Sequence, residues 1–132
     1  MFHVQVDPDL IKLIDEEGDF EEWIDEYSGY LCRIRRVRPY SCWCGYVRVP
    51  EAHNCSGKNY DDVEVHGGLT FGCKVFPDTD VCDKEHYWFG FDCGHAGDLM
   101  PYLWEDGTYR TKEYVKNECK ELAKQLKDME GC

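Results

Sequence analysis

The stretch Tyr30-Leu31-Cys32-Arg33-Ile34-Arg35-Arg36-Val37 decides the fold class, because it alternates as a half-buried strand does. Over the part of the stretch that alternates, Cys32 and Ile34 face inward, and Arg33 and Arg35 share the opposite face. A second apolar stretch at 43–49 follows after a short turn and stops at Pro50. Together the two stretches predict an antiparallel β-hairpin.

The segments on either side of this hairpin predict helices. Asp7 and Pro8 are typical of a helix cap and a first helical turn. The apolar spacing through 20–27 then predicts either a second short helix or the second half of one broken helix, with an acidic outer face. Residues 111–130 carry one apolar stripe behind a capping Thr111, which predicts a helix that packs on the sheet.

The expected architecture is therefore α+β: a small antiparallel β-sheet of about four to five strands packed against a C-terminal helix, with short acidic N-terminal helices. At 132 residues the chain is expected to form a single domain, 1–132. Within it, we expect an acidic helical segment at 1–28, a β-rich core with the site loops at 29–110, and the C-terminal helix at 111–130.

Charge is unevenly distributed along the chain. The net charge of -12 argues against general nucleic-acid binding. Residues 1–28 contain ten acids and one lysine, whereas residues 29–50 contain no acid and five arginines. The arginines either form an anion-facing surface or pair with the acidic segment inside the fold.

The nine cysteines predict thiols in a reducing compartment, because their number is odd and the first residues do not have the pattern of a secretory signal. No apolar run reaches 18 residues, so no membrane association is expected. Cys42 and Cys44 with Cys73 and Cys82 offer zinc ligands, but their spacing is not that of known zinc ribbons or fingers. No metal and no cofactor are therefore expected.

Two segments rich in Gly, His and Asp, at 66–70 and 92–98, predict one functional site. Glycines permit backbone angles closed to other residues and allow a ligand close approach. A His near carboxylates can be oriented by one of them and act as a general base or bind polar atoms. The alternative is structural: a tight turn at 66–70, and acids that cap backbone amides at 92–98.

If the site is catalytic, the candidate residues are His66, His95, Asp92 and Asp98. The candidate ligand-binding residues are His53, His66, Gly67, Gly68, Thr70, Asp92, His95, Asp98, Arg33, Arg35, Tyr46 and Trp88. Aromatic rings can stack on a base and arginines can meet a phosphate, so this set predicts a small polar ligand, most simply a nucleotide-derived one.

Four stretches carry a resemblance to a known family: 44–47 (CGYV), 66–70 (HGGLT), 88–98 (WFGFDCGHAGD) and 114–119 (YVKNEC). In these the chain resembles a family of small tailed-bacteriophage and prophage proteins, over roughly residues 30 to 126. The family often has Pro-Glu-Gly-His in its middle loop, where this chain has Ala52 before His53. The resemblance implies a phage origin and action in the host bacterial cytoplasm, but it supplies no activity.

Three functional hypotheses follow. Because phage proteins of this size often counter host defence, the first is a binding protein that sequesters a nucleotide-derived signalling molecule. The second is a hydrolase or lyase acting on such a ligand in the same His/Asp cleft. The third is a protein–protein inhibitor of a host defence protein, acting through the acidic N-terminal segment. Two questions stay open at this point: whether the site binds or converts its ligand, and whether the protein is a monomer or a homo-oligomer.

Overall fold

The structure, a computed structural model, describes residues 7–36, 42–53, 55–56, 63–74, 84–95, 97–99 and 107–130. In chain order its elements are α1 (Pro8–Glu17), β1 (Phe20–Ile24), β2 (Leu31–Arg35), β3 (Cys44–Pro50), β4 (Phe71–Cys73), β5 (His86–Asp92) and α2 (Lys112–Asp128). These strands form one sheet in the order β1-β2-β3-β5-β4, with every neighbouring pair antiparallel. The predicted α+β fold with a C-terminal helix is confirmed.

The predicted hairpin is formed by β2 and β3. Cys32 lies opposite Val47, and both side chains are fully buried on the face that carries the main core. Arg33 lies opposite Tyr46 on the other face, as the alternation of a strand requires. β3 then pairs along its whole length with β5, the aromatic strand, and β4 pairs with the other edge of β5, so β5 is an interior strand of the sheet.

Helix α2 closes the core on one face of the sheet. Thr111 caps it, since the Thr111 hydroxyl accepts a hydrogen bond from the Tyr114 backbone N–H at 3.1 Å. Its apolar stripe buries Val115, Cys119, Leu122, Ala123 and Leu126. Each such leucine or valine stabilises the fold by about 1.5–3 kcal/mol, which anchors the helix despite its polar outer face. Across the described residues, no helix combines the length and apolar character that crossing a membrane requires.

The N-terminal segment is only partly as predicted. Helix α1 is present with Asp7 as its cap, but the second predicted helix, within 20–27, is instead strand β1 at the edge of the sheet. The helical spacing was misleading, because Phe20 and Ile24 are more than half exposed while Trp23 packs toward the core. Pairing with β2 therefore prevails over the local helical pattern.

Arg36 fastens the acidic segment to the sheet. Its guanidinium is buried and bonds to the Ile14 carbonyl, to the Gly18 carbonyl at 2.6 Å and to the Asp19 carboxylate at 3.1 Å. It also lies over the Trp43 ring, 4.5 Å from the centroid. Of the two interpretations of the charge asymmetry, pairing inside the fold therefore holds for this arginine.

Candidate functional site

The two Gly/His/Asp segments meet beyond the end of β5. The Nε2 atom of His66 lies 2.9 Å from Oδ1 and 2.8 Å from Oδ2 of Asp98, a residue 32 positions further along the chain. Asp98 is only 1% exposed. Its own loop is fixed by backbone bonds, since the Asp98 N–H donates to the His95 carbonyl and Leu99 donates to Thr108.

Gly67 allows this meeting because it leaves room for His95. A Cβ atom at position 67 would lie 2.3 Å from Cδ2 and 2.4 Å from Nε2 of the His95 ring. The backbone of Gly67 also has φ +69°, and that of Gly68 has φ +79°, both in the left-handed region that favours glycine. The turn that follows His66 therefore needs glycine at position 67 for two reasons. The backbone there has a positive φ, and the His95 ring occupies the space that a side chain would fill.

Asp98 is a buried carboxylate held in its ionised form. Burial raises its pKa, but hydrogen bonds from Arg110, His66 and the His95 backbone N–H outweigh that effect, so the pKa lies below its ordinary value. Arg110 Nε donates to Oδ1 at 2.7 Å and the His95 N–H donates to Oδ2 at 3.1 Å. Asp98 is therefore the negative centre on which the cluster is built.

The second nitrogen of His66 contacts helix α2. Nδ1 lies 2.7 Å from the Tyr114 hydroxyl, and the two rings meet edge to face with centroids 5.4 Å apart. Because Nε2 faces the ionised Asp98, the network assigns the ring proton to Nε2 and makes Nδ1 the acceptor of the Tyr114 O–H. Asp98, His66 and Tyr114 thus form a continuous chain of hydrogen bonds.

Asp92, at the end of β5, joins the same cluster. Thr70 Oγ1 donates to its Oδ2 at 3.0 Å, and the Gly94 backbone N–H donates to its Oδ1 at 2.9 Å. His95 Nε2 lies 3.1 Å from Oδ1, the separation of an ion pair, yet no hydrogen bond is formed there. Within the described ranges this buried ring nitrogen has no hydrogen-bond partner.

A shallow groove of about 610 Å³ opens beside His66. Its lining comes from the segment before His66 and from α2: Glu64, Val65, His66, Glu118, Glu121 and Gln125. Gln125 ties the two walls together, because its side chain bonds to the Glu64 N–H at 2.6 Å and to the Glu64 carbonyl at 2.7 Å. The groove is rich in hydrogen-bond acceptors and negative in charge.

His53 was predicted to lie in the cleft, but its ring is bonded to the backbone near the C-terminal end of α2. Its Nε2–H donates to the Leu126 carbonyl at 2.6 Å, and its Nδ1 accepts from the Cys55 N–H at 3.0 Å. Both ring nitrogens are thus bound to the backbone, which leaves neither for a ligand.

The predicted arginine and aromatic residues lie on the sheet face opposite α2. Tyr46 and Trp88 are buried there in a small second core. The Arg33 guanidinium lies over the Trp88 ring at 4.9 Å, and that of Arg35 lies 5.9 Å from the Tyr46 centroid. A buried ring covered by an arginine is not open to stack on a base, so the structure separates these residues from the His66 cluster.

The cysteines described are free thiols, and Cys82 of the zinc hypothesis lies outside the described residues. Burial raises the pKa of the Cys93 thiol far above its usual range, which keeps it protonated and poorly nucleophilic. In the ranges that the structure covers, no three His, Cys, Asp or Glu side chains are grouped closely enough to hold a metal ion.

Sequence reasoning missed Arg110 and Tyr114. They lie one helical turn apart around the start of α2, and the Arg110 guanidinium lies 5.2 Å from the centroid of the Tyr114 ring. The available signal was weak, because an Arg and a Tyr four residues apart at a helix start are common in purely structural contexts.

Comparison with known proteins gives no match of the chain to a family model, a curated protein or a solved structure. The phage-family resemblance therefore stays a prediction, and function must be argued from the geometry of the cluster.

Proposed function

We propose that the protein binds a small polar ligand in the groove beside His66 and holds it without chemical change. The observation that supports this proposal is that both ring nitrogens of His66 and both carboxylate oxygens of Asp98 already have hydrogen-bond partners in the protein. A His whose two ring nitrogens are both bonded to protein groups is held in one orientation and has no free nitrogen to take a proton from a ligand in the groove.

The groove itself supports a ligand that is rich in hydrogen-bond donors, and Arg110, outside the groove lining, supports an anionic group on that ligand. Glu64, Glu118 and Glu121 accept hydrogen bonds from amino and hydroxyl groups, such as those of a base or a ribose. Arg110, joined to His66 through Asp98 and about a quarter exposed, supplies a guanidinium for a phosphate. A nucleotide-derived ligand meets both requirements.

This proposal includes the biological setting that the family resemblance implies. The protein would be phage-encoded, act in the host bacterial cytoplasm and sequester a nucleotide-derived defence signal. A groove of several hundred Å³ is of the size that ordinarily takes such a molecule.

Thermal shift and calorimetry with a panel of linear and cyclic nucleotides test the proposal. A ligand at a hundred times its Kd should stabilise the fold by about 2.7 kcal/mol and should be recovered intact after denaturation. Glu118→Gln should weaken binding about tenfold, since it removes a charged acceptor from the groove. The matched variant Glu113→Gln, on the same helix but outside this groove, should bind normally.

A hydrolase or lyase is the second candidate, and the chain Tyr114–His66–Asp98 favours it. A hydroxyl 2.7 Å from a His that a carboxylate orients is the arrangement of an activated nucleophile or acid. If the protein converts a nucleotide of the panel and Tyr114→Phe abolishes that conversion, the protein is an enzyme and the sequestration proposal is wrong. Recovery of unchanged ligand after prolonged incubation would exclude the catalytic alternative for that ligand.

A further inference from the structure

The outer edge of β1 carries backbone groups that point away from the sheet. The Asp25 N–H donates to the Tyr30 carbonyl at 2.8 Å, and the Arg36 N–H donates to the Asp19 carbonyl at 3.0 Å. In an antiparallel pair, bonded residues alternate, so the odd-numbered residues of β1 pair with β2. The N–H and C=O groups of Phe20, Glu22 and Ile24 therefore point outward.

The side chains of this edge combine two exposed apolar residues with a carboxylate between them. Phe20 is 55% exposed and Ile24 is 59% exposed, and they flank Glu22 on the face opposite α2. Glu22 contacts Arg33 of the neighbouring strand at 2.6 Å. β1 has no lysine, proline or bulge, so the charged side chains at this edge are its two glutamates.

Charge decides which occupant fits the edge. Glu22 and the exposed Glu26 carry the negative charge at this edge, whereas Asp19 is paired with Arg36 and Asp25 is buried and bonded to Ser28. A second copy of the chain, paired about the strand centre, would place Glu22 against Glu22, and like charges directly opposite each other destabilise a sheet. A basic segment would instead meet an opposite charge.

We propose that β1 binds an extended basic segment of a partner protein as an additional antiparallel strand. Its pattern would be apolar–any–Lys/Arg–any–apolar, with the cation opposite Glu22 and the apolar side chains opposite Phe20 and Ile24. Backbone hydrogen bonds to the three outward residues give affinity, and the side-chain pattern gives specificity. This surface is independent of the groove beside His66 and of any ligand there.

A labelled peptide, Thr-Val-Thr-Lys-Thr-Val-Thr, tests strand addition by fluorescence anisotropy. In antiparallel addition Lys and the two Val exchange both backbone bonds with the edge, while the Thr amides between them face away. N-methylation of the Lys and Val amides should weaken binding at least tenfold, and N-methylation of the intervening Thr amides should leave it unchanged. Equal losses for both peptides, or no binding of the parent peptide, would overturn the proposal.

Protein variants test the charge rule with the same peptide. Glu22→Lys should weaken binding at least tenfold, and a peptide with Glu in place of Lys should recover it. Glu16→Lys makes the same net change on the exposed part of α1 and should have little effect. If Glu22→Lys lowers the melting temperature, Glu22→Gln serves instead, with a smaller loss expected; unchanged binding would contradict the rule.

Hydrogen exchange and sedimentation identify the occupant. The peptide should protect the amides of Phe20, Glu22 and Ile24 from exchange, because these donate to the added strand. Protection of the same amides in the protein alone, together with a concentration-dependent dimer, would overturn the proposal in favour of a second copy.

Discussion

The His66 imidazole and the buried Asp98 carboxylate form the contact that joins the two Gly/His/Asp segments, with Nε2 within 2.8 and 2.9 Å of the two carboxylate oxygens. The partners come from the loop before β4 and the loop after β5, so this one hydrogen-bonded contact joins the two loops. Arg110 completes it from the start of α2. Its removal should be felt in the fold as well as in the groove.

Asp98→Asn should destabilise the protein by about 2–4 kcal/mol, because it leaves Arg110 and His66 without their charged acceptor in a buried place. Urea denaturation at neutral pH measures the loss. Asp128→Asn, at an exposed carboxylate that contacts Tyr27 and Lys124, is the matched control and should have a much smaller effect. Equal losses for the two variants would show that the cluster contributes nothing special.

Acid should remove the same stabilisation in the wild-type protein. The pKa of Asp98 is lowered in the fold, so the unfolded chain binds its proton more readily and the contribution is complete above the ordinary value of about 3.8. It is lost as the pH falls through that value toward the lower folded pKa. The stability gap between wild type and Asp98→Asn should therefore be constant from pH 5 to neutral and close below about pH 4. A gap that widens in acid would contradict the assignment of an ionised Asp98.

Substitutions at the adjacent glycines Gly67 and Gly68 allow the cost of a positive φ to be measured separately from the cost of a clash with the His95 ring. Gly67→Ala and Gly68→Ala both place a side chain at positive φ, at a cost of about 1 kcal/mol each. Only Gly67→Ala also meets the His95 ring, whereas nothing lies within 4 Å of a Cβ at position 68. Gly67→Ala should be the more destabilising by a further 1–3 kcal/mol or so.

The double variant Gly67→Ala/His95→Ala provides the control for this prediction. Removing the ring relieves the clash, so the two substitutions should cost less together than the sum of the two single changes. Additive losses in thermal denaturation would mean that the His95 ring is not what position 67 requires glycine for.

The sheet and the C-terminal helix were predictable because local pattern and burial agree in them. The alternation around Ile34 and the stripe through Leu122 each have one consistent interpretation, and the structure buries both residues. Strand β1 was not predictable, since Phe20, Trp23 and Ile24 satisfy helical spacing while Phe20 and Ile24 also alternate as a strand does. The choice between these depends on pairing with β2, which a local pattern does not contain.

Some residues of the site could be predicted, but the hydrogen bonds that connect them could not. His66 and Asp98 attract notice because glycines surround them, whereas Arg110 and Tyr114 reach the cluster only through the packing of α2 on the sheet. Trp88 was predicted to bind the ligand, but its ring is buried under Arg33. Whether an aromatic ring is buried or open to a ligand depends on tertiary packing, which the sequence pattern does not contain.

His53 supplies a final prediction, because its two backbone contacts assign it to stability alone. His53→Ala would leave the Leu126 carbonyl and the Cys55 N–H without their partner in a buried place, at a cost of about 1–3 kcal/mol. His53→Gln, whose side chain can offer both a donor and an acceptor, should retain part of that stability. Any nucleotide that binds beside His66 should bind both variants with wild-type affinity at a temperature where they stay folded. A loss of affinity in folded His53→Gln would return His53 to the ligand site, where the sequence alone had placed it.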